Sequence, residues 1–144
     1  MSGIIGGAGS KSGGIARNSH GKWTPTPNAS GFGSFSAEWS REGRKVQGRA
    51  YCNFNATNSG FNSISGLPFP VASGQHTFFS ASSESIAQPG GGFNNDNCTI
   101  WCYAGGGTSN INFGAWGWSI GWGGSLGVTS SSILMFSGVY STDS

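Results

Sequence analysis

Formal charge is scarce in this sequence. Of 144 residues, five are acidic and seven are Lys or Arg. All seven cations lie between Lys11 and Arg49, which leaves the C-terminal two thirds nearly uncharged. Nucleic-acid binding depends on clustered cations that neutralise phosphates, so this distribution argues against such a partner and suits carbohydrate or protein contact. Imidazole is rarer still, with only His20 and His76. Neither sits in a Ser-His-Asp order or at a metal-ligand spacing, and Cys98-Thr99-Ile100-Trp101-Cys102 has three intervening residues and no nearby His. Glu38, Glu42, Glu84, Asp96 and Asp143 could in principle supply the two carboxylates of a glycosidase, but scattered solvated acids are the simpler reading. No catalytic residue, metal or cofactor is expected.

Long apolar runs are also missing. Met1-Ser2-Gly3-Ile4-Ile5 has neither the charged start nor the apolar length of a signal peptide, and no stretch is long enough to enter a membrane. Cysteine is sparse: Cys52, Cys98 and Cys102 cannot all pair within one chain. If Cys98 and Cys102 share a strand they stand about 13 Å apart at ~3.3 Å per residue, and a disulfide needs its Cα atoms within about 7 Å. Buried free thiols and a cytosolic folding compartment follow.

What is abundant is glycine, with 27 copies, and aromatic side chains, 13% of the chain including six Trp. Each aromatic ring packed inward buries roughly 150–250 Å², and a chain of this length hides roughly 70% of the surface its unfolded form exposes. A core is therefore available despite the low charge. No window offers ten good helix formers at helical spacing. The period is two: Val46, Gly48, Ala50, Cys52, Phe54 and Ala56 alternate with Lys45, Gln47, Arg49, Tyr51, Asn53 and Asn55, as in a half-buried strand. Ile133, Met135 and Val139 alternate with Leu134, Phe136 and Tyr140. That strand is apolar on both faces and should be central or lie at a subunit contact. Further strands are expected over Phe35 to Trp39, Phe61 to Ile64, Thr77 to Ile86, Thr99 to Ala104, Asn110 to Ala115 and Trp118 to Trp122. Turn signals separate them at Glu42-Gly43, Asn58-Ser59-Gly60, Pro89-Gly90-Gly91-Gly92 and Gly105-Gly106-Gly107. Many short strands with Gly-rich turns make an all-β sandwich or barrel.

Residues 1–22 read as a Gly- and Ser-rich arm unable to build its own core, and residues 23–144 as the β-sandwich domain. Trp23-Thr24-Pro25-Thr26-Pro27 forms the extended way in. Within the arm, Gly6-Gly7-Ala8-Gly9-Ser10-Lys11-Ser12 imitates a phosphate-binding loop, but Ser10 interrupts the Gly-Lys-Ser succession and no strand or helix flanks it. Two stretches stand out as candidate glycan contacts. In Trp116-Gly117-Trp118-Ser119-Ile120-Gly121-Trp122, the rings of Trp116, Trp118 and Trp122 share strand parity and could form a stacking platform. Core filling or a contact between copies is the plainer reading, because large apolar patches rarely stay uncovered. Phe93-Asn94-Asn95-Asp96-Asn97 offers Phe93, Asn95 and Asp96 in an amide-rich loop that also reads as an ordinary polar turn.

Three pieces in order resemble a domain common at the C-termini of phage tail-fibre and related virion proteins. They are Trp23-Thr24-Pro25-Thr26, the hairpin Trp39-Ser40-Arg41-Glu42-Gly43-Arg44-Lys45-Val46, and Ile64-Ser65-Gly66-Leu67-Pro68-Phe69; Phe136-Ser137-Gly138-Val139-Tyr140 is similar to that family's final strand. Met1 to Gly13 also resembles a start shared by structural proteins of marine phages, which implies a common attachment peptide. The resemblance implies a jelly-roll-like antiparallel sandwich that forms a homotrimer on the virion surface after assembly in the host cytoplasm. The arm, through Ile4, Ile5, Lys11 and Ile15, would dock onto other virion proteins of head or tail. Two roles follow as expectations: a non-enzymatic surface appendage (head decoration, head fibre or tail appendage), and a receptor-binding tip for host surface glycans. Trp39 stands where the family usually has Tyr, and residues 1–22 carry no heptads of the kind a fibre shaft would show, so a short appendage is expected.

Overall fold

The alternation over residues 45–54 becomes a strand in which Val46, Gly48, Ala50, Cys52 and Phe54 are buried while Lys45, Gln47, Arg49 and Tyr51 face outward. The computed structural model describes residues 18–28, 30–86, 98–117, 121–123 and 125–143, of which 59, 98, 99, 116, 117 and 121–123 enter through their backbone only. The described residues form strands and no helix. In chain order these are β1 (Ser19–Lys22), β2 (Thr26–Pro27), β3 (Phe32–Glu42), β4 (Lys45–Phe54), β5 (Asn58–Phe61), β6 (Ser63–Ser65), β7 (His76–Glu84), β8 (Cys98–Gly105), β9 (Ile111–Gly117), β10 (Gly121–Gly123), β11 (Leu126–Val128) and β12 (Ile133–Ser141).

One antiparallel sheet runs β1-β3-β4-β12-β7-β8-β9-β6-β2 and curls around its own core, with β10 added to β9. The curl turns on β7. Residues 80–84 of this strand pair with β12, whereas residues 76–79 pair with β8, so a single strand serves two layers, as strands do at the corners of packed sheets. At the other margin the chain itself changes layer: β1 lies on β3, β2 lies on β6, and Trp23-Thr24-Pro25 spans between them. Trp23 is buried there, donates its backbone N–H to Ala37 O (3.1 Å) and packs edge-on against Phe136. We refer to β1, β3, β4, β12 and the second half of β7 as the charged layer, and to the first half of β7 with β8, β9, β6 and β2 as the neutral layer.

A relay of rings fills the space between. Phe54, Phe61, Phe113 and Phe136 follow one another at centroid separations of 5.2, 5.4 and 5.3 Å, and Phe79 meets Phe136 at 6.4 Å. Such pairs add about 0.5–1.5 kcal/mol each beyond area burial. The short pair β5–β11 brings in Phe61, Leu126 and Val128, all fully buried. Cys52 and Cys102 are buried free thiols, and Cys98 shares β8 with Cys102. The β3–β4 hairpin closes through Gly43-Arg44, with φ of 58° at Gly43 and a bond from Arg41 Nε to Gly43 O of 2.7 Å. A left-handed first position is what a two-residue type II′ turn requires, and glycine adopts it without steric cost.

The all-β expectation thus holds for the described residues as a curled antiparallel sheet. The strand apolar on both faces is central, flanked by β4 and β7. Three local readings need correction. Asn58-Ser59-Gly60, taken for a turn, belongs to β5; the Asn58 side-chain oxygen accepts the Gly60 N–H (2.7 Å), so turn chemistry is present inside a short irregular strand. Ala56 is exposed because β4 ends at Phe54 and the alternation stops with it. Ser19–Lys22, assigned to the arm, pairs with β3, so the sheet begins before Trp23. Residues 1–17, which carry Ile4, Ile5, Lys11 and Ile15, lie outside the described residues.

Candidate binding surface

In the neutral layer small and aromatic residues alternate. Phe79, Cys102, Ala104, Phe113 and Ala115 turn inward and are buried; the opposite parity therefore sends His76, Phe78, Trp101, Tyr103 and Asn112 outward. Register then assembles them. Phe78 stands opposite Tyr103, Tyr103 opposite Asn112, His76 opposite Gly105, and Trp101 opposite Gly114, which contributes no side chain to the face. Trp101 and Tyr103 stack at 5.7 Å with an interplanar angle of 29°, Phe78 meets Tyr103 at 6.3 Å, and His76 meets Tyr103 at 6.3 Å. The Phe78 ring is 75% exposed, more than any other exposed large hydrophobic residue among those described. The described residues of β2, β6, β8, β9, β10 and the first half of β7 contain no Asp, Glu, Lys or Arg.

The stretch of tryptophans singled out in the sequence meets this face by register. Trp116 pairs with Trp122 across the β9–β10 hairpin and with Thr99 of β8. Position 116 shares strand parity with Asn112 and Gly114, and its cross-strand row runs from Thr99 through 116 to 122, the row beside that of Trp101 and Gly114. Trp118, Phe93, Asn95 and Asp96 lie outside the described residues. His76, Phe78, Trp101 and Tyr103 had not been singled out. The Trp101-x-Tyr103 spacing is visible in the sequence, but its partnership with Phe78 depends on a long-range register.

The opposite surface of the molecule is built differently. On the outer face of the charged layer, Ser36, Tyr51, Met135 and Ser82 form one cross-strand row and Glu38, Arg49, Ser137 and Ser80 the next. Arg49 grips Glu38 through Nη2 (2.5 Å) and Nε (3.1 Å). This pair separates two open grooves of about 460 and 470 Å³, the first reaching His20, Lys22 and Gln47, the second Tyr51 and Met135. Tyr51, Met135 and Val139 are 38%, 40% and 55% exposed, an uncovered apolar strip beside charge.

Hydrogen bonding and the charge of Arg49, with a smaller contribution from Lys22, hold the Glu38 carboxyl below the usual carboxylate range. Asp143 is held down likewise by the N–H (2.9 Å) and Oγ–H (2.8 Å) of Ser73. Both shifts run opposite to the upward displacement a general acid needs at neutral pH. Among the described residues no three His, Cys, Asp or Glu converge to hold a metal, and no helix is long and apolar enough to cross a membrane.

The segments that carry the tail-fibre resemblance meet at one corner. Thr26 pairs with Ser65, whose Oγ–H donates to Thr26 O (3.1 Å); Trp39 packs edge-on against Phe69 at 5.1 Å; Arg41 lies over the Phe69 ring at 4.6 Å. Gly66 adopts φ 92°, and a Cβ there would stand 2.8 Å from Thr24 O, so this close approach requires glycine. These residues pack the layer crossover.

With this geometry in hand, comparison with solved structures returns the crystal structure of the Dettilon tailspike protein. The match covers 86% of this chain at a TM-score of 0.64 and 13% sequence identity. The two share a fold. This chain spans 24% of the tailspike's length. No family model and no curated protein matches the sequence.

Proposed function

We propose that this chain is a non-enzymatic structural protein of a tailed-phage particle, a tail-associated appendage that presents its curled sheet at the particle surface. The observation that carries this reading is the fold shared with a phage tailspike over most of the chain; the corner of packed segments resembling tail-fibre domains supports it. The first 17 residues act as the anchor, with Ile4, Ile5, Lys11 and Ile15 engaging other virion proteins. The segment enters the fold at Ser19, opposite Arg41 and beside the β3–β4 turn, so the arm leaves from the edge of the charged layer. Three copies assemble through the apolar strip Tyr51, Met135 and Val139, which water would otherwise contact. Three arms acting together make attachment durable, since each later arm binds at high effective concentration.

A second reading, recognition of host surface glycans, is favoured by the exposed Phe78 ring beside the half-buried Trp101 and Tyr103 of the neutral layer. The two roles are compatible. Immunogold labelling of intact particles against the folded domain tests the placement: gold on the tail is expected, and gold confined to the head would overturn the tail assignment in favour of a head decoration.

A further inference from the structure

We propose that the outer face of the neutral layer is a carbohydrate-binding platform formed by His76, Phe78, Trp101 and Tyr103, and that its ligand is a neutral, pyranose-rich glycan. The proposal rests on the particle-protein reading for where the glycan comes from, the host surface, and on the structure for the site itself.

Three observations converge. The rings form a cluster with one face open to a sugar: Trp101 and Tyr103, both half-buried, stack on each other, and the exposed Phe78 extends the cluster across the strand pair. An aromatic face carries negative quadrupole charge and attracts positively polarised C–H groups such as those on the flat side of a pyranose. Polar atoms border the rings, as sugar hydroxyls require. The phenol of Tyr103, the imidazole of His76 and the amide of Asn112 share this face, giving an apolar floor with a few hydrogen-bonding groups. Charge completes the match. Among the described residues the strands behind this face carry no Asp, Glu, Lys or Arg, while the opposite layer holds Lys22, Glu38, Glu42, Lys45 and Arg49. An uncharged face gives an anionic polymer no counter-charge to meet; it complements a neutral one.

A second copy of the chain is the competing occupant. It fits the charged layer better, where Tyr51, Met135 and Val139 offer aliphatic and thioether surface that buries well. A face of stacked rings bordered by amide and imidazole leaves polar groups that a flat apolar contact between copies would strand.

The test uses the full chain and a panel of neutral hexose and N-acetylhexosamine oligosaccharides together with their sulfated counterparts, with binding read by calorimetry and tryptophan fluorescence. Saturable binding to at least one neutral member is expected, not improved by sulfation. Phe78→Ser, at the most exposed ring, should weaken it about tenfold or more with unchanged thermal melting and oligomeric state. Tyr103→Ser should abolish it; if that variant fails to fold, Phe78→Ser alone decides. Failure of every neutral oligosaccharide to bind at about 10 mM, stronger binding of the sulfated set, or equal affinity in Phe78→Ser would each overturn the proposal. So would dissociation of the assembly by Phe78→Ser, which would make the face a contact between copies. Glycan binding by a protein that gold labelling does not find on particles would remove the tail reading and leave the platform standing. Tail labelling with no glycan binding would do the reverse.

Discussion

Gly48 and Gly138 stand directly opposite each other in the β4–β12 ladder, yet their surroundings differ completely: a Cβ at Gly138 would lie 2.5 Å from the Phe79 ring, whereas one at Gly48 would meet nothing within 4 Å. The buried Phe79 ring therefore rests on the bare backbone of the central strand. Gly138→Ala should displace that ring and cost about 1–3 kcal/mol, the usual range for overpacking a filled core. Gly48→Ala should lie within about 0.5 kcal/mol of the parent or gain slightly by restricting the unfolded chain. Urea midpoints of the two variants, measured side by side, check the contrast; equal losses would show that Phe79 does not depend on the missing methyl.

Stability should fall at alkaline pH for a specific reason. Burial pushes the Cys52 and Cys102 thiols from an ordinary 9.0 up to about 12 and the Tyr140 phenol from 10.0 up to about 12. The unfolded chain releases these protons first. Their contribution is thus complete below pH 9 and is lost progressively between pH 9 and 12. In a Cys52→Ala, Cys102→Ala double variant the decline should begin about one unit higher, where Tyr140 alone still titrates. Denaturation midpoints recorded from pH 7 to 11 test this.

At the acid end the linkage reverses. Ser73 holds the Asp143 carboxyl below its ordinary 3.8, so the stability it gives is present above pH 3.8 and disappears as the pH falls further. Asp143→Asn should flatten that part of the acid limb while leaving midpoints at pH 9 to 12 in parallel with the parent.

Assembly through the charged layer predicts a dissociating variant. Met135→Glu combined with Val139→Glu places two carboxylates on the exposed strip of β12 without touching the buried Leu134, Phe136 or Tyr140. Light scattering should show a trimer for the parent and a folded monomer for the variant. A variant that stays trimeric moves the contact elsewhere.

Deletion of Met1 to Ile15 should leave β1 and the sheet intact, because pairing with β3 begins at Ser19. The truncated protein should melt like the parent yet fail to join particles in a complementation experiment; normal incorporation would remove the anchor role from Ile4, Ile5, Lys11 and Ile15.

The strands of this fold were legible wherever alternation was clean. Val46 to Phe54 disclose their buried parity directly, Ile133 to Tyr140 disclose a central strand through being apolar on both faces but not which face is buried, and Gly43 marks its hairpin. The candidate site was not. Phe78 and Tyr103 are 25 positions apart in the sequence, and only the antiparallel register of β7 on β8 makes them neighbours. Trp116 to Trp122 stands out in the sequence instead, because its rings are close there. The structure places positions 116 and 122 in register with each other and with Thr99, one row from Trp101 and Gly114, whereas the most exposed ring, Phe78, lies on β7. The division into a charged and a neutral layer was half visible, since the cations all precede position 50. That β7 would bend between layers at Phe79-Ser80 has no local signature.

The position of β12 has a consequence for synthesis. It follows the other eleven strands in the chain, yet it fills the middle of the charged layer between β4 and β7. Until the ribosome has released residue 141, both neighbours present unpaired edges and the Phe79 ring has no floor. Open edges of this kind invite pairing between nascent chains. The charged layer therefore cannot close before β12 is made, and a ribosome that stops anywhere before Ile133 leaves a product prone to aggregate, even though most of the core residues have already been made.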